Sequence, residues 1–148
     1  MLSRFNFCSK NTLVLEKPFK FHNDEITDMV EVTYPQPCII TCGLDRRIVF
    51  FSLKEERVLR VLPTHHRTSV RSLCFFEEFG NFLLSAGSDQ DVYVWAMENQ
   101  INDPLYGKLR GHKAPVSDLF RFPLQPFAAT IDTSGTIKIW DIRKLFCL

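Results

Sequence analysis

A set of four residue types recurs three times along this chain of 148 residues, and its spacing constrains the fold more than any other feature. Each set begins with a His that stands four residues before a β-branched apolar residue, and the three histidines are separated by 44 and 46 residues. A small hydroxyl residue, a turn residue and an aromatic residue follow each His in the same order. The sets are His22, Thr41, Asp45 and Phe51; His66, Ser85, Asp89 and Trp95; and His112, Thr130, Ser134 and Trp140. A period of this length is typical of folds in which one supersecondary unit is stacked on copies of itself.

Short runs rich in β-branched and aromatic residues lie between these positions. Ile48-Val49-Phe50-Phe51 and Val92-Tyr93-Val94-Trp95 are two of them, with Gly, Pro, Asp or Asn near their ends. Such runs predict β-strands joined by tight turns, and no stretch combines the helical period with helix caps. The sequence therefore predicts an all-β fold.

Three motifs connect this repeat with a known family. They are Leu109-Arg-Gly-His112, Leu84-Ser-Ala-Gly-Ser-Asp89 and Ser134-Gly-Thr-Ile-Lys-Ile-Trp-Asp141. Together with the repeated spacing, they make residues 22–148 resemble the WD-repeat β-propeller family. The resemblance implies that each unit is a four-stranded antiparallel blade and that the blades are arranged radially.

The repeat gives three predicted blades and part of a fourth. The blades are residues 22–65, 66–111 and 112–148, and the outer strand of the last is rudimentary. Residues 1–21 are expected to form the outer part of a preceding, incomplete blade. Because a closed propeller needs about four to eight blades, we expect a partial β-propeller, with three four-stranded antiparallel blades plus half of a preceding blade. Its apolar faces would be covered by the missing blades of a larger propeller or by a second β-rich chain.

The four recurring residues predict one buried hydrogen-bond network in each blade. A His that contacts both a hydroxyl and a carboxylate avoids the cost of about 1–3 kcal/mol for each unpaired buried polar group. The middle unit has the full set. Phe51 lacks the indole donor and Ser134 lacks a carboxylate, so the networks of the first and third units are expected to be weaker. Asp132, two residues before Ser134, could partly replace the missing carboxylate.

The same residue types, His, Ser and Asp, also occur in acyl-transfer triads, which makes catalysis the alternative interpretation. However, the set repeats once in every unit, and no Gly-rich nucleophile elbow surrounds a Ser. We therefore predict that the chain has no catalytic residues and is not an enzyme.

The charge balance and the cysteines exclude several function classes. Eighteen basic and 17 acidic residues give a net charge of +1, which is too small for a dedicated binder of nucleic acid or of an anionic membrane. No apolar run could span a bilayer and no secretory signal is present, so we expect a cytoplasmic protein. Cys38 and Cys42 form a C-x-x-x-C pair, but no second pair completes a metal site. We predict no metal, no cofactor, and five reduced cysteines.

One further set of positions recurs with the repeat. These residues stand three and five positions after each His and one position before the turn residue, and the resemblance implies that they face partner proteins. They are Glu25, Thr27 and Leu44; Ser69, Arg71 and Ser88; and Pro115, Ser117 and Thr133. Two interpretations remain, a solvated rim and part of a protein-binding face. Without clustered Lys or Arg or an aromatic hot spot, a phosphopeptide reader is disfavoured.

These observations predict a non-enzymatic WD-repeat scaffold for protein-protein assembly, as a fragment of a larger propeller. Leu109-Arg-Gly-His-Lys-Ala-Pro115, Trp140-Asp-Ile-Arg143 and Cys147 are similar to parts of large WD-repeat proteins of ciliary and flagellar axonemes. This similarity implies an axonemal complex and adds the cilium or flagellum as a location. The alternative is a substrate-recognition propeller of a ubiquitin-ligase-type complex, which would need a basic or aromatic central pocket and an adaptor-binding segment.

Overall fold

The structure, a computed structural model, describes residues 2–7, 13–63, 65–98 and 103–148, with side chains from Pro18 onward. All the regular secondary structure in these ranges consists of β-strands. The strands are β1 (Leu2–Phe7), β2 (Leu13–Phe19), β3 (Ile26–Val32), β4 (Cys38–Gly43), β5 (Ile48–Ser52), β6 (Arg57–Val61), β7 (Val70–Phe76), β8 (Phe82–Gly87), β9 (Val92–Ala96), β10 (Leu105–Leu109), β11 (Val116–Arg121), β12 (Phe127–Asp132), β13 (Ile137–Asp141) and β14 (Phe146–Cys147).

Twelve of these strands form three antiparallel sheets of four, each made of consecutive strands. Sheet 1 contains β3 to β6, sheet 2 contains β7 to β10, and sheet 3 contains β11 to β14. The predicted all-β class with three four-stranded antiparallel units is confirmed, and the outer strand of the last unit has only two residues. β1 and β2 form a separate two-stranded sheet. The exact blade boundaries, and the assignment of residues 1–21 to a preceding blade, stay predictions.

The first strand of each sheet has a β-bulge at the same place. The register shifts lie between Ile26 and Asp28, between Val70 and Ser72, and between Val116 and Asp118. A bulge leaves one residue outside the ladder and bends its strand. The bulged residues are Thr27, Arg71 and Ser117, each five positions after the His of its unit.

The sheets pack face to face, and alternation along the strands supplies two apolar faces to each. On β8, Leu83 points into the core between sheets 1 and 2, whereas its neighbour Leu84 points into the core between sheets 2 and 3. Both side chains are fully buried. Sheet 2 is therefore covered on both sides, because successive strand residues point to opposite faces.

A smaller apolar cluster joins the two-stranded sheet to sheet 1. Phe19 of β2 packs against Ile39 and Phe51, and Phe21 and Val58 lie at the edge of the cluster. β2 thus covers part of the face of sheet 1 that points away from sheet 2.

Two isoleucines at the same position of the repeat provide a test of this packing. Ile48 and Ile137 each begin the third strand of their sheet, but Ile48 is 2% exposed and Ile137 is 63% exposed. In the purified chain, Ile48→Ala should lower the free energy of unfolding by about 2–5 kcal/mol, and Ile137→Ala should change it by about 0.5 kcal/mol or less. Chemical denaturation measures both values, and equal losses would contradict this arrangement of the sheets.

Candidate functional site

Sheet 2 contains a hydrogen-bond chain of four buried or partly buried side chains. Trp95 Nε1 lies 2.9 Å from Ser85 Oγ, Ser85 Oγ lies 2.7 Å from His66 Nε2, and His66 Nδ1 lies 2.9 Å from Asp89 Oδ2. An indole N–H can only donate and an ionised carboxylate can only accept. The donors therefore run in one direction, from Trp95 to Ser85 to His66 to Asp89, with the proton of the imidazole on Nδ1.

The four members of this chain come from different parts of the sheet. His66 precedes β7, Ser85 lies on β8, Asp89 lies in the turn after β8, and Trp95 lies on β9. The carboxylate of Asp89 also accepts hydrogen bonds from the Arg67 backbone N–H and the Thr68 hydroxyl. The network thus fixes the loop before the first strand against the turn between the second and third strands.

Sheet 1 has the same arrangement without the indole. His22 Nδ1 lies 2.9 Å from Asp45 Oδ1, and His22 Nε2 lies 2.8 Å from Thr41 Oγ1. Phe51 has no polar atom to offer, and its ring stacks on Phe21 with 4.7 Å between centroids. Aromatic packing against β2 and the segment after it takes the place of the indole hydrogen bond.

Sheet 3 has a network of the same residue types, with its carboxylate at a different position. His112 Nδ1 lies 2.7 Å from Asp132 Oδ2, His112 Nε2 contacts Thr130 Oγ1, and Trp140 Nε1 donates to Thr130 Oγ1 at 2.8 Å. The carboxylate thus comes from Asp132 and not from the position of Ser134. Ser134 supports the network indirectly, because its hydroxyl donates to Asp132 Oδ1 at 2.6 Å. This network has an imidazole, a hydroxyl, a carboxylate and an indole, as in sheet 2.

The register explains how Asp132 comes to contact the imidazole. Asp132 pairs with Val116, at the place where sheets 1 and 2 have Gly43 and Gly87. A side chain at Gly87 would collide with the backbone oxygen of Ser69, so sheet 2 must take its carboxylate from a later residue. Sheet 3 accommodates the side chain of Asp132 at this place, and its carboxylate contacts His112.

The pKa shifts agree with this direction of the hydrogen bonds. Burial holds the pKa of His66 below its ordinary value of 6.5, which favours the neutral imidazole. Although burial alone would raise the pKa of Asp45, hydrogen bonds from His22 and from the backbone amides of Asn23 and Arg47 lower it. Hydrogen bonds from Ser134 and then His112 lower the pKa of Asp132. The neutral imidazole of His66 and the ionised carboxylates of Asp45 and Asp132 are thus favoured at neutral pH.

The role of Asp132 can be tested with three substitutions. Asp132→Ala removes the only carboxylate partner that the described chain offers to His112, so it should lower the denaturation midpoint as much as Asp89→Ala does. Ser134→Ala leaves the contact between Asp132 and His112 intact and should lower the midpoint much less. A loss with Ser134→Ala equal to that with Asp132→Ala would show that the assignment of the carboxylate is wrong.

The pKa shifts also predict how stability depends on pH. Because the folded-state pKa of His66 is depressed, the unfolded chain takes up a proton more readily than the folded one as the pH falls through 6.5. The free energy of unfolding should therefore decrease below that pH, and further below 3.8 as the carboxylates of Asp45 and Asp132 become protonated. Denaturation at a series of pH values measures this, and constant stability between pH 8 and 5 would contradict it.

Six of the nine predicted face residues form three backbone hydrogen-bonded pairs, one in each unit. In each unit, the residue before the turn position donates its backbone N–H to the residue three positions after the His. These pairs are Leu44 to Glu25 at 2.9 Å, Ser88 to Ser69 at 3.2 Å, and Thr133 to Pro115 at 2.9 Å. The same backbone bond thus fixes two of the three face positions in every unit.

The side chains at these positions differ in their hydrogen bonds and in their exposure to solvent. The hydroxyl of Thr27 donates to the backbone oxygen of Val70 in sheet 2, and that of Ser117 donates to the backbone oxygen of Ile131. Glu25 and Arg71 are exposed, as are Pro115, Ser117 and Thr133. The face therefore offers one exposed acid and one exposed base among small residues.

A concave pocket that the sequence did not indicate lies at the other end of the first strands. Its volume is about 620 Å³, and its lining includes residues of β3, β7 and β11 together with Glu77 and Glu78. Arg121 donates to Glu78 across the gap between sheets 2 and 3 at 3.0 Å. No pattern within a single repeat could identify this pocket, because three different units form it.

The two cysteines of the C-x-x-x-C pair, Cys38 and Cys42, are buried free thiols. Burial raises the pKa of Cys38 to about 11 and that of Cys42 to about 12, so both stay protonated thiols. Among the described residues, no group of three or more His, Cys, Asp or Glu side chains could hold a metal ion. The described ranges also contain no helix long and apolar enough to cross a membrane.

Comparison with known proteins agrees with the three repeated four-stranded sheets. The family model described as "WD domain, G-beta repeat" matches residues 56–96 and 104–141. The cilia- and flagella-associated protein 337 B of Tetrahymena thermophila is 31% identical over 124 residues, which are 83% of this chain and 9% of that protein. The DDB1- and CUL4-associated factor 11 homologs of Caenorhabditis briggsae and Caenorhabditis elegans are 29% and 30% identical over 111 and 109 residues.

These matches cover 73% and 71% of this chain and 20% and 19% of the two nematode proteins. The chain thus spans about a fifth or less of these relatives. The family model covers more than half of the chain, and its two matched segments contain the strands β6 to β9 and β10 to β13. This chain therefore belongs to the WD-repeat family.

Proposed function

We propose that this chain is a non-enzymatic WD-repeat scaffold that binds another protein through the face formed by its nine recurring positions. The supporting observation is that the face is continuous from one unit to the next. Thr27 of sheet 1 bonds to the backbone of Val70, beside Ser69 and Arg71. The backbone oxygen of Asp89, beside Ser88, accepts the backbone N–H of Val116 at 3.3 Å. Three units therefore present one firmly held surface.

The geometry of the networks supports the absence of catalysis. The hydroxyl of Ser85 is completely buried and already has two partners, His66 and Trp95. A nucleophile must reach its substrate, whereas this hydroxyl is enclosed between strands. The three sets of His, hydroxyl and carboxylate thus have a structural role, since each links the loop before the first strand of its sheet to the turn after the second strand.

The composition and the contacts favour proteins over other partners. A net charge of +1 provides no strong attraction for nucleic acid or for an anionic membrane. The exposed part of the face is small and polar, with Glu25 and Arg71 as charged groups, and such charges contribute mainly to the specificity and rate of association. We propose no cofactor.

The relatives support two settings for such a scaffold. A cilia- and flagella-associated protein is among them, which supports an axonemal complex of the cilium or flagellum as the first proposal. Two relatives carry names that refer to association with DDB1 and CUL4, which supports the substrate-recognition propeller of a ubiquitin-ligase-type complex as the second.

Two arginine substitutions of identical chemistry test the face. Arg71→Glu reverses the exposed charge on the face, and Arg57→Glu reverses an exposed charge on β6 at the outer edge of sheet 1. In cells that naturally contain the chain, Arg71→Glu should reduce the recovery of the bound protein about five- to tenfold, and Arg57→Glu should leave it unchanged.

Mass spectrometry of the recovered complex separates the two settings. Axonemal proteins bound to the tagged full chain would support the first, and ligase subunits would support the second. Equal recovery with Arg71→Glu and Arg57→Glu would overturn the proposal that this face binds the partner.

A further inference from the structure

The concave pocket at the ends of the first strands has the size and the lining of a ligand site. We call it the end groove, and its volume is about 620 Å³. Ligand pockets in proteins measure about 300–1,000 Å³ and combine a mostly apolar lining with a few polar groups. The lining of the end groove includes the buried or half-buried apolar side chains of Val30, Leu73 and Phe75. An apolar partner surface could therefore pack into it.

Two consecutive acids of sheet 2, Glu77 and Glu78, are held by the sheets on either side. Glu77 Oε1 accepts hydrogen bonds from the backbone N–H of Thr33 at 2.8 Å and from the hydroxyl of Thr33 at 2.9 Å, on the side of sheet 1. Glu78 accepts a hydrogen bond from Arg121 of sheet 3 at 3.0 Å. Sheet 2 has a described neighbour on each side, so both acids keep a fixed place in the lining.

The end groove has an excess of negative charge, although the net charge of the chain is +1. The charged residues of its lining are Glu31, Glu77, Glu78 and Arg121, which give a net charge of −2. Arg121 forms an ion pair with Glu78, so these two charges balance. Among the described residues, no donor reaches Glu77 Oε2 or the carboxylate of Glu31. Two exposed carboxylates of the lining therefore lack a compensating positive charge.

The repeat itself does not require these acids. At the positions of Glu77 and Glu78, eleven and twelve residues after the His, sheet 1 has Thr33-Tyr34 and sheet 3 has Pro123-Leu124. Apolar and uncharged residues thus serve equally well where the first and second strands are joined. The excess of negative charge is therefore a property of this groove and not of the four-stranded unit.

The dimensions of the end groove favour an extended chain as its ligand. The groove crosses β3, β7 and β11, which belong to three different sheets. Sheets that pack face to face lie about 10 Å apart, so the groove is about 20 Å long. An extended segment spans this distance with about six residues, at about 3.3 Å for each. A small cation would leave most of the apolar lining without a contact.

We propose that the end groove binds an extended segment of a partner protein in which a Lys or Arg side chain is flanked by apolar residues. The basic group pairs with the carboxylates of Glu31 and Glu77, and the apolar residues pack against the lining. Apolar burial provides the affinity, and the opposite charges provide the specificity. The site lies at the other end of the first strands from the face of the nine recurring positions. It is therefore a second site, which goes beyond the proposed function.

Selection from a displayed library of random twelve-residue peptides tests the class of ligand. The library is first depleted on the immobilised full chain that carries Glu31→Gln and Glu77→Gln together, and is then selected on the unchanged full chain. Gln keeps the size of Glu and can still accept the hydrogen bonds of Thr33, so the substitutions remove the charge alone. We expect the selected peptides to share a Lys or Arg flanked by apolar residues. No retained peptide after depletion, or a shared motif without a basic residue, would overturn the proposal.

The affinity of a labelled peptide from this selection tests the contacts. Fluorescence anisotropy should give a dissociation constant about tenfold higher with Glu31→Gln and Glu77→Gln together, because two exposed ion pairs are lost. Glu98→Gln is the matched control, since Glu98 is exposed and lies outside the lining of the groove, and it should leave the constant unchanged. Norleucine in place of the basic residue of the peptide should weaken binding to the unchanged chain to a similar extent. The denaturation midpoint of each variant verifies that it is folded.

The same measurement separates the end groove from the proposed partner-binding face. Arg71→Glu should leave the affinity for the labelled peptide unchanged, because Arg71 lies at the start of β7 and outside the groove. Equal affinities for the unchanged chain and for the chain with Glu31→Gln and Glu77→Gln would overturn the proposal, and so would a loss of binding with Arg71→Glu. Recovery of the cellular partner with Arg71→Glu tests the other face alone, so the two proposals can fail independently.

Discussion

Burial of the apolar faces between neighbouring sheets is the constraint on which the rest of this structure depends. A four-stranded sheet with alternating apolar residues on two sides is stable only if something covers each side. Sheet 1 packs on one face of sheet 2 and sheet 3 packs on the other, so both faces of sheet 2 are buried. Sheet 1 is covered fully on one side and in part on the other, where Phe19 packs on Phe51. The units therefore stack face to face.

The hydrogen-bond networks solve a second problem that stacking creates. The loop before each first strand and the turn after each second strand enter the packed region, so their polar groups need internal partners. The neutral imidazole is suited to this task because it donates from one nitrogen and accepts at the other. In sheets 2 and 3 an indole adds a further donor, whereas in sheet 1 the aromatic ring of Phe51 provides packing only. Hydrogen bonding and apolar packing thus substitute for each other at one position of the repeat.

Much of the fold could be predicted from the sequence, because a repeat reports the same local structure three times. The spacing of His, hydroxyl and aromatic residues predicted an all-β repeat of four-stranded units, and three such sheets are present. The carboxylate of the third network was harder to predict. Spacing alone pointed to Ser134, which follows its hydroxyl residue by four positions as Asp89 does, but Asp132 pairs with Val116 at the place where the other sheets have a glycine. This register placed Asp132 beside His112.

The repeat predicted that a partial propeller has apolar faces in need of a cover, and the structure has an exposed one on sheet 3, at Phe120, Ile131 and Ile137. Ile48 and Ile137 have the same residue type, the same strand position and the same alternation, and yet one is buried and the other is exposed. The difference arises only from the neighbour that each sheet has. Internal repetition nevertheless makes the comparison informative, because the covered copies show how the same face packs when a neighbouring sheet lies on it. The carboxylate of Asp28 contacts the next sheet, and that of Asp118, at the same position of sheet 3, accepts the hydroxyl of Ser72. The covered faces of sheets 1 and 2 therefore serve as the internal reference for the exposed face of sheet 3.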